Sequence, residues 1–509
     1  MIRPSFKSAY VLSAPPSVLT AVVVIWCCGI ARGEEEQTPL WLVVGREELL
    51  KPIGALAERR RAEGFEAIVS TEGVEKALAG APRRPEFLLL VGDDEPGKEA
   101  APWYLPAKRM RLYRWRRTQR EEFASDAAWG DLDGDLMPEV AVGRVPARSA
   151  AEVELAVKKI LAFERRPANP ADLGLTLWAG SPNYGPVIDA TATELLLAML
   201  RMNGPSWTRL WVVSGNPHHP LCGWPPDQPE LFTRQVAQGG LCSVLMGHAS
   251  AERFFSTLHE GRPVYYQAAD ARAALAQGSP GAPMVFFSCE SGDFTRPSHC
   301  MAEAFFFFPG GPVTTIAATT ESHPLTNYFS GTCLLKELGG QRDRIGSMWL
   351  AAQRQATRQR NFLAERVLRD VEGKLEEAID VAKLRRDQVL MYALLGDPAT
   401  RLKVPKPLEA SVERVDSGWR WRAQRREGAR SLAVGHRPSR LPAAEWTGRP
   451  ADRQKARAAF EAANAALGFT SLPSPPDDGP WEGTVDRPGL LRLVTVAGGQ
   501  LYVAVLRLQ

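Results

Sequence analysis

Two short stretches in the middle of the chain carry the residues best suited to chemistry: LMGHAS, with His248, and MVFFSCESGDF, with Cys289. Each reactive residue stands where an apolar, strand-like run stops, and in parallel α/β sheets the carboxyl ends of strands are where ligands and catalytic groups collect. A thiol and an imidazole brought together there would make a cysteine nucleophile with its base. The small and polar residues after Phe287 suit an open cleft better than a core. The competing reading is structural, because cysteine is among the most buried residue types and a strand-end histidine can simply satisfy a backbone group.

The elements that must position these residues are legible as apolar periodicity. The chain has 509 residues, 45% hydrophobic and 24% charged, with a net charge of +4. Such a chain is not globally disordered, is too long for one ordinary core, and its charge selects no partner class. From Leu40, LWLVVG, a helix over 46–63, FEAIVS, a short helix and EFLLLVGDD form a first α/β unit, whose unbroken apolar strands indicate a parallel sheet covered on both faces. Ser149 and Glu152 have capping-box spacing, and Val153, Ala156, Ile160 and Phe163 make a helical stripe, predicting a connecting helix. A second series follows: LTLWAG, a helix over 190–202, LWVVSG, a helix near 229–238, LCSVLMG, PMVFFSC and PVTTIAATT. A helical region over about 361–395 closes the α/β part. The linker VPKPLEA then leads to a module with a helix over 451–467 and a terminal hairpin through Gly498 and Gly499.

The first residues read differently. Arg3 and Lys7 precede the apolar run Val18 to Ala31, and Gly33 precedes Glu34, Glu35 and Glu36. That order is the pattern of a secretory signal peptide, and the run is short for a membrane span, which needs roughly 20 apolar residues. The alternative is a single anchoring helix. The expected organisation is a signal peptide (1–33), an N-terminal α/β subdomain (34–147), a catalytic α/β subdomain (148–404) and a β-containing C-terminal module (405–509), the mature chain being secreted or held in the cell envelope without a transmembrane helix. Removing the signal leaves Cys222, Cys242, Cys289, Cys300 and Cys333, an odd set that guarantees a free thiol.

GHAS, SCESGDF, HCMAEAFF and GPVTTIAATT, in this order, with WGDLDGDLMPEVAVGRVPARS before them and YALLGDPATRL after them, resemble the gingipain-type cysteine peptidases, family C25 of the caspase-like clan, over roughly residues 123–402. The resemblance implies a caspase-like parallel-sheet core and hydrolysis of protein or peptide substrates. It implies Cys289 as nucleophile, His248 as general acid and base, an oxyanion hole from backbone amides at Ala249 and Cys289, and no cofactor in the chemistry. It also draws attention to two departures. Ala249 stands where the clan usually has glycine, and AGSPNYG offers only Ser181 and Asn183 where some members orient the histidine with a carboxylate. These keep a second reading open, a catalytically weak or inactive peptidase-like binding scaffold of the cell envelope. Asp189 falls in the region where arginine-specific members hold a pocket carboxylate, which would pair bidentately with a basic substrate residue; the plainer role is a first-turn helical acid favoured by the dipole.

Other clusters are weighed the same way. Asp131, Asp133 and Asp135 in DLDGD, with Glu139, space oxygen ligands around a glycine as calcium loops do, without the full EF-hand pattern, so a structural calcium competes with a solvated acidic turn. Lys108, Arg109, Arg111, Arg114, Arg116, Arg117 and Arg120 surround Tyr113 and Trp115, a composition that can bind single-stranded nucleic acid. Glu121 and Glu122 follow at once, and a solvated or substrate-facing loop with no nucleic-acid partner is expected. His218, His219 and Cys222 lie in a proline-rich loop without a visible fourth zinc ligand. His299 is a rival base, expected instead at a helix cap; Cys300 and Cys242 fit buried helix and strand positions.

Overall fold

The computed structural model describes residues 38–113, 121–183, 186–362, 366, 380–439, 452–477 and 479–509. The expected signal peptide, and Arg114, Trp115, Arg116, Arg117 and Arg120 of the basic stretch, lie outside the described residues.

The strands up to the linker are Leu40–Gly45 (β1), Glu66–Ser70 (β2), Phe87–Val91 (β3), Lys108–Arg111 (β4), Glu122–Ser125 (β5), Ala141–Val145 (β6), Gly174–Ala179 (β7), Arg209–Ser214 (β8), Cys242–Met246 (β9), Arg253–His259 (β10), Arg262–Gln267 (β11), Met284–Phe287 (β12), Thr315–Ala318 (β13) and Tyr392–Leu395 (β14). Ten of these make one sheet in the order β2-β1-β3-β6-β14-β13-β12-β9-β7-β8. Every neighbouring pair is parallel except β13 and β14. The sheet therefore consists of two parallel halves of opposite direction that meet at one antiparallel seam. β1, β3, β12 and β13 are buried along their whole length, as expected for strands covered by helices on both faces.

A charged knot ties β1, the chain after β14 and the connecting helix to one another. The buried Arg60 guanidinium, on helix Gly54–Ala62, bonds Asp397 at 2.7 Å and Glu164 at 2.9 Å, and Trp41 Nε1 of β1 donates to the other Asp397 oxygen at 3.0 Å. Asp397 follows β14 in the YALLGDPATRL stretch, and Glu164 lies on the connecting helix Ala150–Arg165. Burial would disfavour the charge on Arg60, but these carboxylates raise its pKa above the ordinary value. Removing one partner from such a buried set costs about 3–5 kcal/mol, because the other charge is left uncompensated. The connecting helix has the expected capping box between Ser149 and Glu152.

Three local features depart from the sequence reading. The helix expected over 46–63 is divided into Glu47–Leu50, a 3-10 turn Lys51–Ile53 and Gly54–Ala62, because Pro52 lacks an N–H and crowds the preceding turn. The antiparallel hairpin β10–β11 was not foreseen, although Glu260 and Gly261 take the left-handed φ values of 52° and 76° that a tight hairpin turn requires. Helices Pro324–Leu338 and Ile345–Arg358 precede the region expected to be helical over about 361–395; there helix Val381–Met391 forms, but Tyr392–Leu395 is strand β14 rather than helix, because this apolar run completes the sheet between β6 and β13.

Residues from Lys406 onward, within the expected linker itself, build a five-stranded and a three-stranded sheet around their own apolar cluster. The last two strands, Gly489–Ala497 and Gln500–Leu508, are the expected hairpin, turning through Gly498 and Gly499 at φ 56° and 74°. Helix Arg453–Leu467 returns to the main sheet. Its Asn464 side chain accepts from Val212 N at 2.7 Å and donates to Val212 O at 3.1 Å, so that it covers the backbone of edge strand β8.

Candidate active site

β9 and β12 are neighbouring parallel strands whose last paired residues are Met246 and Phe287. Two positions beyond each stand His248 and Cys289, so the strand register delivers the imidazole and the thiol to one end of the sheet. Gly247 N–H donates to Phe287 O at 3.2 Å, which keeps the chain in register past the strand end. Gly247 has φ 153°, and a Cβ there would lie 3.2 Å from the Phe254 ring and 3.3 Å from Gly180 Cα. Glycine thus lets β9, the chain after β7 and the β10–β11 hairpin converge beside His248. The hairpin returns to this turn through Phe255 N–H to His248 O at 2.9 Å and a bridge between Ala249 and Phe254.

The exposed His248 ring places Nε2 at 2.8 Å from the carbonyl oxygen of Pro182. A carbonyl only accepts, so Nε2 carries the proton, and in the neutral ring Nδ1 is the basic nitrogen. The partner lies between the two residues singled out for this task. Ser181 N–H donates to Ser256 O at 2.6 Å, while the exposed Asn183 takes a left-handed φ of 59°, a conformation asparagine tolerates.

Cys289 occupies a strained turn. Glu290 has φ 54°, uncommon for a residue with a side chain. The turn is pinned to the chain around the end of β13 by Glu290 N–H to Thr320 O and Gly292 N–H to Ala318 O, both 2.9 Å. A Cβ on Gly292 would approach Ala317 Cβ and O to 2.7 Å, so only glycine permits this contact. The thiol points to Ser322, with Sγ 3.6 Å from the Ser322 carbonyl oxygen and 3.9 Å from its hydroxyl. Behind it, Asn327 Nδ2 donates to Ser322 Oγ at 2.9 Å, and Asn327 Oδ1 accepts from Tyr392 at 2.7 Å and Gln388 at 3.0 Å. Burial pushes the thiol above its ordinary 9.0, the contacts with Ser322 draw it back, and Glu321 and Glu290 add to the rise. Such a thiol is harder to ionise than an ordinary cysteine, and a nearby cation or proton acceptor would favour its thiolate.

Cys289 and His248 line one cavity of about 230 Å³, enclosed by the ends of β7, β8, β9 and β12 and by the helices Pro186–Asn203 and Pro324–Leu338. The other four described cysteines, Cys222, Cys242, Cys300 and Cys333, are buried free thiols; Cys289 alone is partly exposed.

The model of peptidase family C25 matches residues 34–403. This chain belongs to peptidase family C25. Its fold is similar to three solved structures. The Arg-specific cysteine proteinase gingipain R (RgpB) is 14% identical, with 93% of this chain and 99% of that chain covered at a TM-score of 0.51. The complex of RgpB pro- and mature domains from Porphyromonas gingivalis is 13% identical, with 92% and 100% covered at 0.51. A structure described as a protease is 13% identical, with 92% and 97% covered at 0.54. Among curated proteins none matches the sequence.

The remaining expected site residues of this C25 member divide. Asp189 sits half-buried in the first turn of helix Pro186–Asn203, and it is Ala192, Thr193 and Leu196 of that helix that line the cavity. His299 stacks on Phe307 at 5.2 Å between ring centroids and is not a cavity residue. Cys300 caps helix Met301–Phe307, and Cys242 is a buried strand residue whose thiol burial pushes up to about 12. His219 serves its own turn: Nδ1 accepts from Leu221 N–H and Nε2 pairs with Glu194, each at 3.1 Å. Arg109 is engaged bidentately with Asp94 at 2.6 and 3.0 Å, and Lys108 donates to Ala128 O at 2.9 Å. Oxygens of Asp131, Asp133 and Glu139 converge within 4.8 Å of one another, whereas Asp135 turns to accept Met137 N–H at 2.7 Å. Among the described residues no helix is long and apolar enough to cross a membrane.

The sequence reading missed the groups behind the thiol, Ser322 and Asn327, and the Pro182 carbonyl. The first two lie in a polar interruption, ESHPLTN, of an otherwise apolar stretch, which is a usable signal. A main-chain carbonyl leaves none.

Proposed function

We propose that this C25 member is a secreted cysteine endopeptidase acting through an acyl-enzyme on Cys289. His248 takes the thiol proton, Sγ attacks the peptide carbonyl carbon, and the carbonyl π electrons move to oxygen. Backbone N–H groups of Ala249 and Cys289 stabilise that oxyanion. Collapse of the tetrahedral adduct breaks the C–N bond as imidazolium His248 protonates the leaving amine. Water, deprotonated by His248, then hydrolyses the thioester and returns the proton to sulfur. The observation that carries this reading is the sharing of one cavity by the one partly exposed thiol among the described residues and an imidazole at adjacent strand ends.

Cys289→Ala should lower peptide hydrolysis by about four orders of magnitude or more while leaving the circular dichroism spectrum unchanged. A peptide ketone should modify Cys289 in the parent. The weak-scaffold alternative is favoured by Ala249 and by the raised thiol; absence of turnover and of Cys289 labelling would select it. We further propose that Asp131, Asp133 and Glu139 can hold a structural calcium, a hard cation suited to carboxylate oxygens. Calcium at 100 times its Kd should then stabilise the protein by about 2.7 kcal/mol, and Asp131→Asn should abolish that response in thermal unfolding.

A further inference from the structure

We propose that the cavity beside Cys289 receives an uncharged, apolar side chain from the substrate residue that supplies the scissile carbonyl; this rests on the peptidase reading above. The cavity is continuous with both reacting groups, so the side chain attached next to the attacked carbonyl is the one placed to enter it. Its walls are Ala179, Ala192, Leu196, Met246 and Phe287. Apart from Cys289 and His248, no described residue lining it is ionisable. An apolar cavity of about 150 Å³ suffices for benzene, so the 230 Å³ here accommodates a leucyl, methionyl or phenylalanyl group.

Polar side chains in the lining already hold hydrogen-bond partners within the protein. Thr193 Oγ1 and Ser214 Oγ are 2.7 Å apart, and Ser214 Oγ also accepts from Asn216 N–H at 3.1 Å. Asn216 Oδ1 accepts from His218 N–H at 2.9 Å. Asn327 uses its carbonyl oxygen for Tyr392 and Gln388 and its amide for Ser322. A guanidinium or ammonium entering this space would lose water without gaining a carboxylate, whereas apolar surface gains from burial. Glu290 and Glu321 act on the thiol electrostatically, but neither lines the cavity. Asp189, one helical turn before Ala192 and Thr193, does not line it either.

The experiment uses coumarin amides of one peptide sequence in which only the residue before the scissile bond changes among leucine, phenylalanine, arginine and lysine, alongside the matching peptide ketones. Leucine or phenylalanine should exceed arginine and lysine in kcat/KM by about 100-fold or more. Ala192→Asp, which adds a carboxylate at a partly exposed helix position in the wall, should raise the arginine-to-leucine ratio by about 10-fold or more. Arginine or lysine matching leucine in the parent overturns the inference while leaving the peptidase reading intact, as does an arginine preference that disappears in Asp189→Asn. Faster labelling of Cys289 by the leucyl than by the arginyl ketone supports the inference even without turnover. Failure of every ketone to label Cys289 overturns both readings.

Discussion

The polar assembly behind the Cys289 thiol can be tested by replacing Asn327 with leucine, which has a similar shape but no hydrogen-bonding groups. Asn327 is 6% exposed and holds three partners: Ser322 Oγ at 2.9 Å, Gln388 Nε2 at 3.0 Å and the buried Tyr392 hydroxyl at 2.7 Å. A buried polar group left without a partner costs about 1–3 kcal/mol. The three losses do not simply add. Gln388 Nε2 keeps Ser330 Oγ at 3.3 Å, and the Tyr392 hydroxyl lies close enough to Ser322 for the two to pair. The expected destabilisation is therefore about 2–4 kcal/mol, corresponding to two groups incompletely satisfied. Equilibrium urea unfolding measures it. A second readout reports on the site itself. Contacts with Ser322 draw the Cys289 thiol downward, so loosening Ser322 should move the pH profile of alkylation at position 289 to higher pH. Mass spectrometry isolates that position from the four buried cysteines. A loss below about 1 kcal/mol would show that the network does not stabilise the fold, and an unmoved alkylation profile would show that it does not act on the sulfur.

Two further perturbations probe neighbouring parts of the argument. Gly292→Ala places a Cβ 2.7 Å from Ala317 Cβ and O, so the turn carrying Cys289 must lift from β13; on the proposed peptidase reading kcat/KM should fall, stability should drop by about 1–3 kcal/mol, and Ala317→Gly should restore part of the activity. The carboxyl of Asp387, although it accepts Tyr113 N–H at 2.6 Å, is raised by burial from 3.8 to about 6. The folded chain thus binds this proton more tightly than the unfolded chain. Its contribution is complete below the unfolded value and is lost as pH climbs through about 6. In Asp387→Asn the decline in urea midpoint across that interval should shrink; parallel curves for the two proteins would exclude the linkage.

Local patterns carried much of this structure because the dominant elements are buried strands. An unbroken run such as MVFF, short and bounded by small and polar residues, suits a strand in a sheet covered on both sides, and its end, where SCESG begins, is equally visible. Ser149 and Glu152 announced their helix because the capping interaction is a contact between residues three apart. What stayed hidden depends on partners distant in sequence. YALL gives no sign that it runs antiparallel to β13 and forms the seam between the halves. The group that holds His248 is a main-chain oxygen, available at every residue and therefore marked by none.

The meeting of His248 with Cys289 belongs to that second class. Between them in sequence lie the β10–β11 hairpin and helix Ala268–Leu275, so no spacing rule links the two motifs. They are brought together because β9 and β12 are adjacent, parallel and end in register at Met246 and Phe287, about 4.8 Å apart across the ladder. A one-residue slip would reverse the side-chain faces along the slipped strand and move one reacting group away from the cavity. Gly247 and Gly292 guard against such a slip, since each occupies a close approach that a side chain would obstruct. The chemistry assigned to this chain thus depends as much on two glycines and a strand register as on the sulfur and the imidazole.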